Sequence, residues 1–217
     1  MINFVKNKLE NLFFDIWYVN KEIFSRRRIK MIYFDNAATT KNKPAEVIDA
    51  VVNAMKNFGN SSRGVHEESL SADRIVFETR KKLAKMFNVG NSRQVVFTKN
   101  ATESLNIAIN GLFLENDHII TSVAEHNSVL RPINYLKEKA VEVSYIGVSE
   151  NGVINFGQIP SLIKSNTKAI VITHASNVTG NITDLKKYGD FCRENNLLFV
   201  VDASQTAGAF DIDMKEM

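Results

Sequence analysis

The chain has 217 residues, 44% hydrophobic and 24% charged, an ordinary globular composition with enough apolar material for one sizeable core. Its net charge of +3 is small, and beyond Arg26, Arg27, Arg28 and Lys30 the signs are mixed, which argues against a nucleic-acid groove. The single cysteine, Cys192, excludes an intrachain disulfide and fits a reducing, cytoplasmic setting, and no run of about 18 apolar residues suggests a membrane span.

Residues 1–30 differ from the rest. Phe4, Val5, Leu9, Leu12, Phe13, Ile16 and Trp17 recur at helical spacing, with Lys6, Lys8, Glu10 and Asp15 on the polar side. This predicts an amphipathic helical extension. The basic cluster follows the apolar stretch, which is the wrong order for a secretory signal. Glu10, Asp15 and Glu22 argue against a mitochondrial presequence. Docking on its own domain is the plainer reading; lying on a membrane surface or a partner is the sharper one.

From Met31 the chain alternates strands and helices. Met31 to Asp35 reads as a short strand ending in the turn Asn36-Ala37-Ala38. Pro44 opens a helix to Phe58 with an apolar stripe of Val47, Ile48, Val51, Val52 and Met55. Gly59 to Gly64 is a loop by composition. Ser69 to Asn88 is a long helix with Leu70, Ile75, Val76, Leu83 and Phe87 on one side. Val95 to Thr98 is a strand and Thr102 to Leu114 a helix. His118 to Ser122 is a strand, Val129 to Lys139 a helix, and Val141 to Ile146 a strand. A short helix at Ile159–Ser165 precedes the strand Ala169–Thr173. The helix Leu185–Asn195 precedes a last strand, Leu197–Val201. Such alternation predicts an α/β fold with a mostly parallel sheet flanked by helices. The final run is apolar throughout and reads as a strand buried on both faces.

Polar groups collect where strands end. The last strand closes on Asp202, with Gln205 three residues on. A buried carboxylate needs a cationic partner, and the protonated ring nitrogen of pyridoxal phosphate is one that fits; capping the next turn is the alternative. Asn100-Ala101-Thr102-Glu103 enters a helix whose free N–H groups can hold a phosphate, and the same residues form a capping box. His126 lies where a ring could stack on a flat cofactor, or is a surface histidine. Asn177 has an amide that both donates and accepts, or bonds its own loop. The histidines do not share a zinc-like spacing with Cys192, so no metal site is expected. Cys192 sits within a helical pattern and reads as a packing residue, not a nucleophile.

These stretches resemble the class V aminotransferase group of pyridoxal-phosphate enzymes, in particular its cysteine desulfurase and selenocysteine lyase branch. The resemblance covers residues 31–217. It rests on Tyr33 to Thr40, Gly59 to Arg63 with His66, and Val95 to Thr98 with Asn100 to Ser104. It continues through Glu125 to Val129, His174 to Gly180, and Val201 to Gly208. It implies the large domain of the fold type I transferases, with residues 31–217 as part of it. Asp202 would pair with the pyridine nitrogen, and His126 would stack on the ring and relay a proton as the catalytic residue. Gln205 would bond the phenolic oxygen. Ala101 and Thr102 would hold the phosphate, and Asn177 would bond the phenolic oxygen or the substrate carboxylate. Asn36, Ala37 and Ala38 would line the substrate pocket.

The implied reaction converts cysteine to alanine and leaves sulfur on the enzyme for an acceptor protein, usually in a homodimer. The family's Schiff-base lysine lies roughly two dozen residues past the aspartate, and its catalytic cysteine and substrate-binding arginine lie further downstream. Lys215 stands in the wrong context for that lysine. The expectation is therefore an N-terminal part of such an enzyme, inactive alone. The alternatives are another class V aminotransferase or epimerase, and a non-catalytic remnant.

Overall fold

The computed structural model describes residues 32–61 and 64–217, so the helix expected within residues 1–30 lies outside the described residues. The chain divides into two units, Met1–Lys41 and Asn42–Met217. In the first, the expected strand before Asn36 does not form among the described residues. Residues 32–35 have no sheet partner among the described residues and lead into the anticipated turn at Asn36–Ala38. That turn is closed by the Asp35 carbonyl, which accepts from the N–H groups of Ala38 and Thr39 at 3.3 Å each.

The second unit begins with α1 (Ala45–Asn57), capped by Pro44, and α2 (Glu67–Met86). Both helices form close to where periodicity places them, but their large apolar side chains are not core. Val47, Ile48, Val51, Val52 and Met55 are all exposed, as are Leu70, Ile75 and Val76. What α2 buries is small: Ser69, Ala72 and Ala84. Periodicity reports that a face is apolar; what covers it is a separate, tertiary matter.

A four-stranded parallel sheet forms the centre, with β1 (His118–Ser122), β2 (Glu142–Ile146), β3 (Thr167–Thr173) and β4 (Leu198–Asp202) in the order β2-β1-β3-β4. Three further helices matter to it: α3 (Ala101–Leu112), α4 (Asn127–Lys137) and α6 (Leu185–Glu194), with the short α5 (Ile159–Leu162) between β2 and β3. Successive strand residues face opposite sides. Ile119, Ala169 and Val171 therefore pack with Leu105, Ile109, Val129 and Ile133 of α3 and α4. Ile120, Ile170 and Ile172 pack with Ile159, Leu185, Tyr188 and Cys192 of α5 and α6. Both central strands are buried on both faces, which accounts for their unbroken runs of Ile and Val.

Two strand expectations need correction. Residues 95–98 pair with no strand among the described residues, and Val96 and Phe97 are exposed. The strand Leu198–Asp202 is present, but among the described residues it lies at a sheet edge and pairs with β3 alone. Leu198 is exposed and Phe199 to Val201 are only half-buried. An apolar run specifies β structure; its position in the sheet decides whether both faces are covered.

The strand order matters for function. From β1 the chain goes through α4, on one face, to β2. It then crosses to the other side of β1 as β3 and continues through α6, on the opposite face, to β4. The order reverses between β1 and β3. The crevice outside the carboxyl ends of such strands is where open α/β sheets bind ligands.

Candidate functional site

The loops after β1, β3 and β4 meet at this switch point. Asp202 is the last residue of β4, in register with Thr173, the last of β3. The backbone N–H of His174 donates to the Asp202 carbonyl at 2.9 Å. The Asp202 side chain is buried, 7% exposed. Its Oδ1 accepts from the Ser204 N–H at 3.0 Å and the Ser204 hydroxyl at 2.5 Å. These bonds hold the carboxylate and shape the turn that carries Gln205, which is half-buried. No ion pair found among the described residues involves Asp202. The capping alternative for this aspartate is seen directly in the Ser204 bonds, and the carboxyl lies buried at the carboxyl edge of the sheet.

Asn177 sits in the exposed turn after β3. Ser176 builds that turn: its hydroxyl accepts from the N–H groups of Val178 and Thr179 at 3.2 Å each. Its carbonyl accepts from Gly180, which adopts φ +73°, a conformation that favours glycine.

The start of α3 is capped as the spacing predicts. Asn100 Oδ1 accepts from the Glu103 N–H at 2.9 Å. The Glu103 carboxylate reaches back to the N–H of Lys99 at 2.7 Å, one residue beyond the usual capping-box target, Asn100. Ala101 and Thr102 are exposed on this first turn, where backbone donors have no partner within the helix.

His126 is the N-cap of α4. Its Nδ1 accepts from the Ser128 N–H at 3.1 Å and lies 2.8 Å from the Ser128 hydroxyl. An Nδ1 that accepts leaves the proton of a neutral ring on Nε2. The Ser128 hydroxyl is also 2.8 Å from that of Thr102. Thus Thr102 and His126, assigned to a phosphate and a ring, belong to one hydrogen-bonded chain. Ser128 was not among the residues singled out from sequence; its place two residues past a strand-end histidine was the available signal.

A second missed residue is Glu125. It is 6% exposed, and its Oε1 accepts from the Ser122 hydroxyl at 2.6 Å. Burial pushes its carboxyl up to about 7, against the pull of the Ser122 hydroxyl and the Thr173 backbone; the charge of Asp202 pushes it the same way. The edge thus holds two carboxyl groups with different environments. Asn36, Ala37 and Ala38 fall in the first unit. Cys192, 2% exposed and pushed up to about 12 by burial, is a core side chain as anticipated.

This arrangement is that of an α/β protein with a parallel sheet flanked by helices, carrying a carboxyl group and a capped helix start at the switch point of the sheet. The aminotransferase class-V family model matches residues 32–217, and the chain belongs to that family. It is 36% identical over 193 residues to a cysteine desulfurase IscS of Vibrio atlanticus, covering 86% of this chain and 47% of that protein. Among solved structures it resembles the apo cysteine desulfurase of Thermococcus onnurineus NA1. The TM-score is 0.79 at 33% identity, over 86% of this chain and 47% of the other. It also resembles SspA in complex with cysteine, with a TM-score of 0.80 at 29% identity, over 86% and 54%. The chain spans about half the length of the curated relatives it matches. No helix among the described residues is long and apolar enough to cross a membrane.

Proposed function

We propose that residues 42–217 form the cofactor-binding part of a cysteine desulfurase-type enzyme that uses pyridoxal 5'-phosphate. The observation that carries this reading is Asp202: a buried carboxylate, rigidly held by Ser204, at the carboxyl edge of a parallel sheet and outside every ion pair found among the described residues. Such a group fits a protonated pyridine nitrogen, whose bound ring supplies an electron sink. Asp202 holds the proton on that nitrogen by its charge. Ala101 and Thr102 hold the phosphate with first-turn N–H groups and a hydroxyl. His126 covers the ring face, with Nε2 as its proton-bearing nitrogen. Gln205 and Asn177 orient the ring through its phenolic oxygen, and Asn177 is the residue that also reaches an amino-acid carboxylate.

The substrate is an amino acid, with cysteine favoured by the relatives' names. A sulfur-acceptor protein, a homodimeric complete enzyme and a cytoplasmic location complete the proposal. Residues 1–217 alone lack desulfurase activity in this reading, because no lysine in them stands in the context of the family's Schiff-base lysine.

Titrating the pure chain with pyridoxal phosphate, followed by absorbance and by protein fluorescence, tests this. Weak saturable binding that Asp202→Ala abolishes is the expected result. Binding unchanged in Asp202→Ala rejects the site, and sulfide release from cysteine above a free-cofactor control rejects the inactivity.

A further inference from the structure

Two buried carboxyl groups share one sheet edge, and the proposed chemistry uses only Asp202. Glu125 follows β1, while Asp202 ends β4, with the end of β3 between them. One Glu125 oxygen is fixed by Ser122 at 2.6 Å; the other, Oε2, is buried without a hydrogen-bond partner. So is the Tyr188 hydroxyl, on α6 behind the same edge, which feels the charge of Glu125. A pocket of about 230 Å³ lies alongside, lined in part by Ala124, Thr173, Tyr188 and Lys187. That volume accommodates water, and unpaired buried polar atoms favour hydration.

Two buried carboxyl groups at one sheet edge ionise together less readily than either would alone. The titratable groups whose charge bears on Glu125 are Asp202 from β4 and Tyr188 from α6; Asp184 and Lys187 line the adjoining pocket, and His174 follows β3. Tyr188 is pushed up to about 12, and burial holds His174 below the usual histidine range. Both are therefore neutral near pH 7; burial first, and the charge of Asp202 after it, opposes ionisation of Glu125.

We propose that Glu125 is a positioning residue of the candidate site: a buried proton-holding carboxyl that shares its proton balance with Asp202 and releases its proton to solvent when a cationic ring is held against Asp202. This rests on the cofactor reading above. The O–H bond of Glu125 breaks, and the proton passes to water or buffer. Glu125 thereby becomes anionic once the ring's positive charge offsets that of Asp202. Cofactor affinity then rises with pH through the range in which Glu125 ionises.

The test has two arms on the 217-residue chain. In the first, ¹³C-labelled glutamate carboxyls are titrated by NMR without cofactor, and Glu125 is assigned by comparison with Glu125→Gln. Its inflection near neutrality should fall by about one pH unit in Asp202→Asn. An ordinary inflection near 4.5, or one indifferent to Asp202→Asn, overturns the proposal. In the second, calorimetric titration with pyridoxal phosphate in two buffers of different ionisation enthalpy counts protons released at pH 7. The wild type should release more than Glu125→Gln, with affinity rising several-fold from pH 6 to 8 only in the wild type. Equal release by the two chains overturns the coupling to the ring. Failure of both chains to bind rejects the proposed function instead, and the first arm still decides the coupling to Asp202.

Discussion

The hydroxyls of Thr102 and Ser128 lie 2.8 Å apart, joining the first turn of α3 to the first turn of α4. Ser128 extends the link to His126 Nδ1 at 2.8 Å. A side chain on one helix start is thereby held to a ring on another. Ser128→Ala should cost about 1 kcal/mol in a urea melt, the usual net worth of a lost hydrogen bond. It should also weaken pyridoxal-phosphate binding several-fold, with Ser128→Thr restoring most of the binding. Unaltered affinity in Ser128→Ala would show that the link serves stability alone.

The pH dependence of stability should be set from both sides by two buried groups. His118 is fully buried in β1, with Nδ1 2.8 Å from the Thr167 hydroxyl and Nε2 2.9 Å from that of Ser144. Burial, aided by the charge of Lys164, holds its pKa below the usual 6.5 against the opposing pull of Glu142. The unfolded chain thus takes up a proton more readily, and stability present above about 6.5 is lost as pH falls. Glu125 acts in the opposite sense. Its pKa is raised from 4.5 to about 7, so its contribution is complete below 4.5 and is lost as pH rises through 7. That difference corresponds to roughly 3 kcal/mol between the limits. Denaturation midpoints measured from pH 5 to 8 should show Glu125→Gln gaining on the wild type as pH rises. A gap that stays constant with pH would contradict the buried-proton assignment.

Cys192 should be silent in the native protein. It lies among Ile170, Leu185 and Tyr188, with its thiol pushed up to about 12 by burial. Thiolate and access are both needed for reaction with a disulfide reagent. Labelling should therefore proceed only through opening of α6 or global unfolding, at a rate that climbs with urea. Immediate stoichiometric labelling in buffer would place the thiol elsewhere.

Local patterns were the legible part of this molecule. β1 occupies the span its apolar run marks, and the cap on α3 forms from the Asn100 and Glu103 spacing. The residues at 95–98 and 32–35 look equally strand-like but have no pairing partner among the described residues. Propensity cannot supply one, because a strand exists only by bonding to another. The α1 stripe likewise identifies an apolar face correctly and a core incorrectly.

By itself the sequence determined the α/β alternation, the polar strand ends and the motifs of the class V family, because all of these are encoded within short spans. The order β2-β1-β3-β4, and hence the crevice between β1 and β3, was decided only in three dimensions. So were the edge position of β4, the pairing of Thr102 with Ser128, and the placing of Glu125 and Asp202 at one sheet edge. These relationships join residues between 24 and 77 positions apart. Contacts at such separation come from strand pairing and helix packing, which hydrophobic period alone does not specify.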